Sequence, residues 1–150
     1  MKYPLLFITI LLFCTSTSVG QTRTITGKVI GAEPCDCKSK YDEFFIIREA
    51  KILSTDSIEL GTTNENGKFE IQVSNETNEL LIGWIGMEWE KVKITKECNN
   101  YEVILLPFVI YDFVSTKKAN RLRKKDREVL PELYQRAYNE EIFENEKPCR

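Results

Sequence analysis

Histidine is absent from this chain of 150 residues. That removes the Ser-His and Cys-His pairs of nucleophilic catalysis and most zinc-bound-water chemistry, which rely on imidazole as base or ligand. Charge of one sign is not in excess either. The 21 Lys and Arg residues face 23 Asp and Glu, a net charge of −2, so there is no general drive toward nucleic acid. A hydrophobic run of membrane-spanning length is missing, because the longest, Leu5 to Phe13, falls short of the roughly 20 residues a helix needs to cross a bilayer. No repeat recurs at solenoid spacing. What is present, 42% hydrophobic and 29% charged residues, suits one folded domain with appendages.

The first twenty residues read as an export signal. Lys2 supplies the basic start, Leu5 to Phe13 the apolar stretch, and Ser18 and Gly20 the small residues ahead of cleavage before Gln21. Cys14 opens a lipoprotein alternative, although bulky Phe13 precedes it. Losing this segment removes only Lys2 among the charges and takes the net charge from −2 to about −3. The reading is an exported protein of the periplasm or cell envelope, or one secreted outright, with no transmembrane span after cleavage. Four cysteines then remain, Cys35, Cys37, Cys98 and Cys149, an even number that suggests disulfides in an oxidising compartment. A four-thiolate zinc site is the competing reading, but the one close pair is Cys35-Asp36-Cys37, without the paired two-residue spacings of zinc ribbons. Neither metal nor cofactor is therefore expected. Four cysteines allow three connectivities. Cys35 and Cys37 would close a cramped ring with each other, so the expectation is that one pairs with Cys98 and the other with Cys149.

Alternation of apolar and polar residues dominates the middle of the chain. Thr24 to Ile30 predicts a first strand with Ile25 and Val29 inward, followed by a loop from Gly31 to Lys40. Tyr41 to Ile47 carries the apolar run Phe44-Phe45-Ile46-Ile47 and predicts a core or edge strand. Ala50 to Ser54 and Ser57 to Thr63 bracket a turn at Thr55-Asp56. Asn66-Gly67 predicts a tight hairpin turn, since both residues tolerate the positive φ such turns need. After it Phe69, Ile71 and Val73 share one strand face. Leu80-Leu81-Ile82 begins a strand punctuated by Gly83 and Gly86. Val92 and Ile94 point inward from the next, and Tyr101 to Leu106 is the last.

These pieces, in this order, resemble a known family. Gly61-Thr62-Thr63-Asn64-Glu65-Asn66-Gly67-Lys68-Phe69 looks like the signature hairpin of carboxypeptidase regulatory-like domains. Leu81-Ile82-Gly83-Trp84-Ile85-Gly86-Met87-Glu88, leading into Val92-Lys93-Ile94, is similar to the family's later strand and Gly-aromatic-Glu motif. Ile25-Thr26-Gly27-Lys28-Val29 matches the opening strand, and Val103-Ile104-Leu105 the closing one. The chain departs from the pattern at Met87, where the family has Tyr, and in the long insertion from Gly31 to about Arg48. The resemblance implies an all-β, transthyretin-like (prealbumin-like) Greek-key sandwich of about seven strands over residues 21–107. It also implies a non-catalytic accessory role, because the peptidase's His and Glu zinc ligands are not carried over.

Residues 108–150 form a tail of different character. Lys117, Lys118, Arg121, Arg123, Lys124, Lys125 and Arg127 make a basic run, either a solvated helix face or a surface for lipid phosphates or an acidic protein. Pro131 suits a helix's first turn. Leu133, Tyr134, Ala137, Tyr138 and Ile142 then recur at helical spacing as an apolar stripe, which packs on the sandwich or docks a partner. The tail is expected to hold the binding function, with an envelope protein or anionic envelope surface as partner and no nucleic acid, and its removal to leave a folded sandwich. Two other sites compete with it. Glu88 and Glu90 are a same-face carboxylate pair, better explained as strand positions. Trp84, Trp89 and Tyr101 could form an aromatic platform for a glycan or small ligand, the alternative to a protein-binding adaptor.

Overall fold

The computed structural model describes residues 21–35 and 41–149, the side chain of Asp42 excepted. Residues 1–20, expected to be an export signal and containing Cys14, and Cys37 lie outside the described residues. The chain is mostly β. Among the described residues eight strands run in order: β1 (Thr22–Pro34), β2 (Tyr41–Ile46), β3 (Lys51–Ser54), β4 (Glu59–Thr62), β5 (Lys68–Ser74), β6 (Glu79–Gly83), β7 (Glu90–Lys93) and β8 (Asn100–Leu105). Helix α1 (Thr116–Asp126), a 3-10 turn (Arg127–Val129) and helix α2 (Leu130–Asn139) follow.

The strands form two four-stranded sheets. In the first, long β1 pairs with β5 along its first half and with β2 along its second, both antiparallel, and with β8 in parallel. The second runs β4-β3-β6-β7, antiparallel throughout. The sheets share one core. Ile25, Val29, Phe69, Ile71, Val73, Tyr101 and Val103 of the first meet Ile52, Leu80, Ile82 and Val92 of the second. Strand β5 shows the period-2 rule directly, its residues alternating exposed and buried from Lys68 to Ser74.

Three local expectations change. The segment Gly31–Pro34 is not loop but the continuation of β1, with Gly31 opposite Phe45 and Ala32 opposite Phe44. The aromatic run at Phe44 returns as a partner strand and supplies the ladder bonds that a lone segment would lack. Asn66-Gly67 does turn the chain, but it joins β4 in one sheet to β5 in the other, so it closes no hairpin. Only Gly67 of the pair has positive φ, 69°. Asn64 builds the turn, its side-chain oxygen accepting from the N–H groups of Asn66 and Lys68. Finally, residues 84–89 leave the second sheet. Gly83 ends β6 and Gly86, at φ 79°, turns a loop.

The tail is part of the fold. Strand β8 is buried on both faces, and its outward residue Ile104, with Leu106 just past its end, meets Leu133, Tyr134 and Ala137 of α2 together with Phe143. Ile30 and Ala32, where β1 extends past the shared core, join this second cluster. The edge of β8 away from β1 is covered by tail groups. Tyr134 accepts from the backbone N–H of Ile104 at 3.2 Å. Buried Glu102 accepts from the N–H of Glu144 at 2.6 Å and of Asn145 at 3.2 Å. Cys149 bridges alongside Tyr101. An unpaired strand edge is thereby closed to other chains.

Cys98 and Cys149 form a disulfide, Cα atoms 6.4 Å apart. This overturns the expected outward pairing, since Cys35 is disulfide-bonded but to neither of them. The C-terminus returns along β8 to Cys98, a course that spacing in the sequence does not reveal.

Candidate functional site

The basic run is divided by the helix it forms. Ser115 caps α1 through its hydroxyl, which accepts from the N–H of Lys118. Arg123 and Arg127 face the sandwich. Arg127 lies 3.3 Å from Glu88 and also bonds Glu90, while Arg123 lies 3.8 Å from Glu88 and covers the ring of Phe108 at 4.9 Å. Burial alone would lower the Arg127 pKa, but the bonds and charges of Glu90 and Glu88 together hold it above its ordinary value. These two arginines are therefore struts that seat α1, and Glu88 and Glu90 are their counter-ions. Lys117, Lys118, Arg121, Lys124 and Lys125 are exposed.

The apolar stripe divides in the same way. Leu133, Tyr134 and Ala137 are buried in the second core, Ile142 lies past the helix and is half-buried, and Tyr138 is exposed. As a partner-docking face the stripe is overturned: β8 and the end of β1 already cover it.

The aromatics expected to form a platform stand differently. Tyr101 belongs to the core, its hydroxyl donating to the Cys98 carbonyl and accepting from the N–H of Thr95. It takes no part in a platform. Trp84 and Trp89 are 38% and 47% exposed. Trp89 lies across Gly83, where any side-chain carbon would collide with its ring. Loop 84–89 is fixed by the N–H of Glu88 donating to Leu106 and that of Phe108 donating to Gly86, each at 2.8 Å. The result is a groove of about 650 Å³ over the end of the second sheet. Trp84, Ile85, Met87, Trp89 and Phe108 line it, and Glu49, Lys51 and Thr62 supply the polar groups at its wall. Phe108 is the component the sequence reading missed. By sequence it belongs to the tail, and the pairing of Pro107 with Met87 brings it here.

Flat aromatic faces offer stacking area at low entropy cost, and a few polar groups orient what lies on them. Among the described residues no group of three or more Cys, Asp or Glu could hold a metal ion, and no helix is long and apolar enough to cross a membrane. Compared with known proteins, the chain matches no family model, no curated protein and no solved structure.

Proposed function

We propose that this chain is a non-catalytic β-sandwich accessory module of the cell envelope, of the transthyretin-like, carboxypeptidase regulatory-like kind, and that it binds a glycan in the groove over its second sheet. The observation that carries the reading is Trp89, seated on Gly83 with its outer face open beside Trp84 and Phe108. A pyranose ring has one apolar face and a rim of hydroxyls. The first matches the aromatic floor, and the second matches Glu49, Lys51 and Thr62. Export is supported by the N-terminal segment and by the Cys98–Cys149 disulfide, a bond that persists in oxidising compartments.

Titration with a panel of soluble oligosaccharides, followed by tryptophan fluorescence, tests this. Saturable quenching is expected for at least one of them. It should be lost in Trp89→Ala and in Gly83→Ala, which lifts the indole without removing it. Quenching that survives in both variants, or its absence across the panel, overturns the glycan assignment. The protein-adaptor reading is favoured by Ile85, 89% exposed at the groove's lip, a side chain a sugar does not need. On that reading Ile85→Ser, and not Trp89→Ala, abolishes capture of the partner.

A further inference from the structure

The segment joining the sandwich to α1 exposes apolar side chains that nothing in the fold requires outside. Phe108, Val109 and Ile110 are 51%, 41% and 73% exposed, and Phe113 is fully so. Phe113 also sits at φ 59°, a left-handed conformation in which a bulky aromatic is an outlier. The segment is nevertheless anchored. Tyr111 bonds Asp126, and Arg123 packs over Phe108 and Tyr111. It is a held projection.

The cationic face begins within one helical turn of it. Phe113 lies two residues before the cap Ser115, and Lys117 is in the first turn of α1. At 3.6 residues per turn, Lys117, Lys118, Arg121, Lys124 and Lys125 fall within an arc of about 120°. Ala119, Leu122, Arg123 and Asp126 occupy the opposite side, all buried or half-buried. No acidic residue stands in the helix's first turn. The whole chain is net negative, so this face is a local reversal of sign.

We propose that residues 108–125 form a peripheral docking surface for an anionic lipid bilayer, with Ile110 and Phe113 entering the interface and the five exposed cations lying over the headgroup phosphates. Charge complementarity selects this occupant, and shape favours it over an acidic protein. The apolar residues project from a loop instead of lining a cleft, which suits insertion among acyl chains. Each cation near an anionic leaflet adds on the order of a fivefold gain in partitioning. The attraction decays over roughly 8 Å at physiological salt. The surface shares only Phe108 with the groove, and neither Ile110, Phe113 nor the five cations line that groove, so failure of either assignment leaves the other standing.

Co-sedimentation of the full chain with phosphatidylcholine vesicles, and with an equal mixture of phosphatidylcholine and phosphatidylglycerol, tests the proposal. Residues 1–20 carry one charge, Lys2, and are common to every variant, so their contribution cancels between variants. The expected preference for the mixed vesicles is tenfold or more, lost at high salt. Lys117→Glu, Lys118→Glu and Arg121→Glu together should abolish that preference, and the corresponding Gln variants should reduce it should the Glu form fail to fold. Ile110→Ser with Phe113→Ser should lower partitioning by roughly a hundredfold or more at every salt concentration, the amount expected for withdrawing two large apolar side chains from an apolar phase. Equal binding to both vesicle types overturns the proposal. So does undiminished binding of the serine variant together with salt-sensitive binding to polyglutamate, which would assign the face to an acidic protein.

Discussion

At the scale of single residues, position on an element decides what a charge or hydroxyl does. Arg123 and Lys124 are neighbours in one basic run, yet the first packs over Phe108 beside Glu88 and the second is solvated. Tyr111 shows the same dependence. Its hydroxyl donates to Asp126, and that bond, followed by burial and the Asp126 charge, pushes its pKa up from 10.0 to about 12. The native state thus keeps a proton that the unfolded chain releases near its ordinary value. Stability from this contact is complete below pH 10 and is lost as pH rises toward about 12. Tyrosinate absorbance should accordingly show Tyr111 titrating late, beside Tyr41, which burial and the Asp126 and Glu88 charges also raise, and Asp126→Asn should return Tyr111 toward the ordinary range. A wild-type profile identical to that of the Asn variant would show that the bond is not made in solution.

At the scale of elements, α2 completes the first sheet by two means. Its apolar face covers Ile30, Ala32, Ile104 and Leu106, and Tyr134 satisfies a backbone donor of β8. Replacing Tyr134 with Phe keeps the apolar contact but leaves the Ile104 N–H unpaired in a buried place. That should cost about 1–3 kcal/mol, read as a lower urea midpoint. Tyr138→Phe, on the exposed side of the same helix, should stay within about 0.5 kcal/mol of wild type. Removing residues 116–150 should unfold or aggregate the protein, because it uncovers both the second core and the edge of β8. A soluble, cooperatively melting truncation product would restore the view of the tail as a dispensable appendage.

At the scale of the whole molecule, the Cys98–Cys149 disulfide ties the C-terminus to the strand it covers. Its sequence separation of 51 residues corresponds, by loop entropy, to a stabilisation of roughly 4 kcal/mol, usually less in practice. A Cys98→Ala/Cys149→Ala protein should therefore melt well below the oxidised form at neutral pH, with fluorescence of Trp84 and Trp89 unchanged before the transition. An unchanged melting temperature would mean that the hydrogen bonds to Glu102 and the second core hold the segment without help from the bond.

Most strands and their inward faces were legible from residue order, because pleat alternation is a local property. Phe69, Ile71 and Val73, then Val92 and Ile94, are buried as their spacing predicts. Helix α2 was equally legible from its 3.6-residue period and from Pro131. Which strand pairs with which was not legible, since ladder bonds carry no residue code: β4 and β5 flank a strong turn and still lie in different sheets. The disulfide partner of Cys98, the side of α1 that Arg123 and Arg127 face, and the meeting of Phe108 with Trp84 and Trp89 at one groove all depend on contacts between distant segments. Only the tertiary structure decided them, because burial of an apolar stripe or a cation is settled by whichever surface the folded chain brings to it.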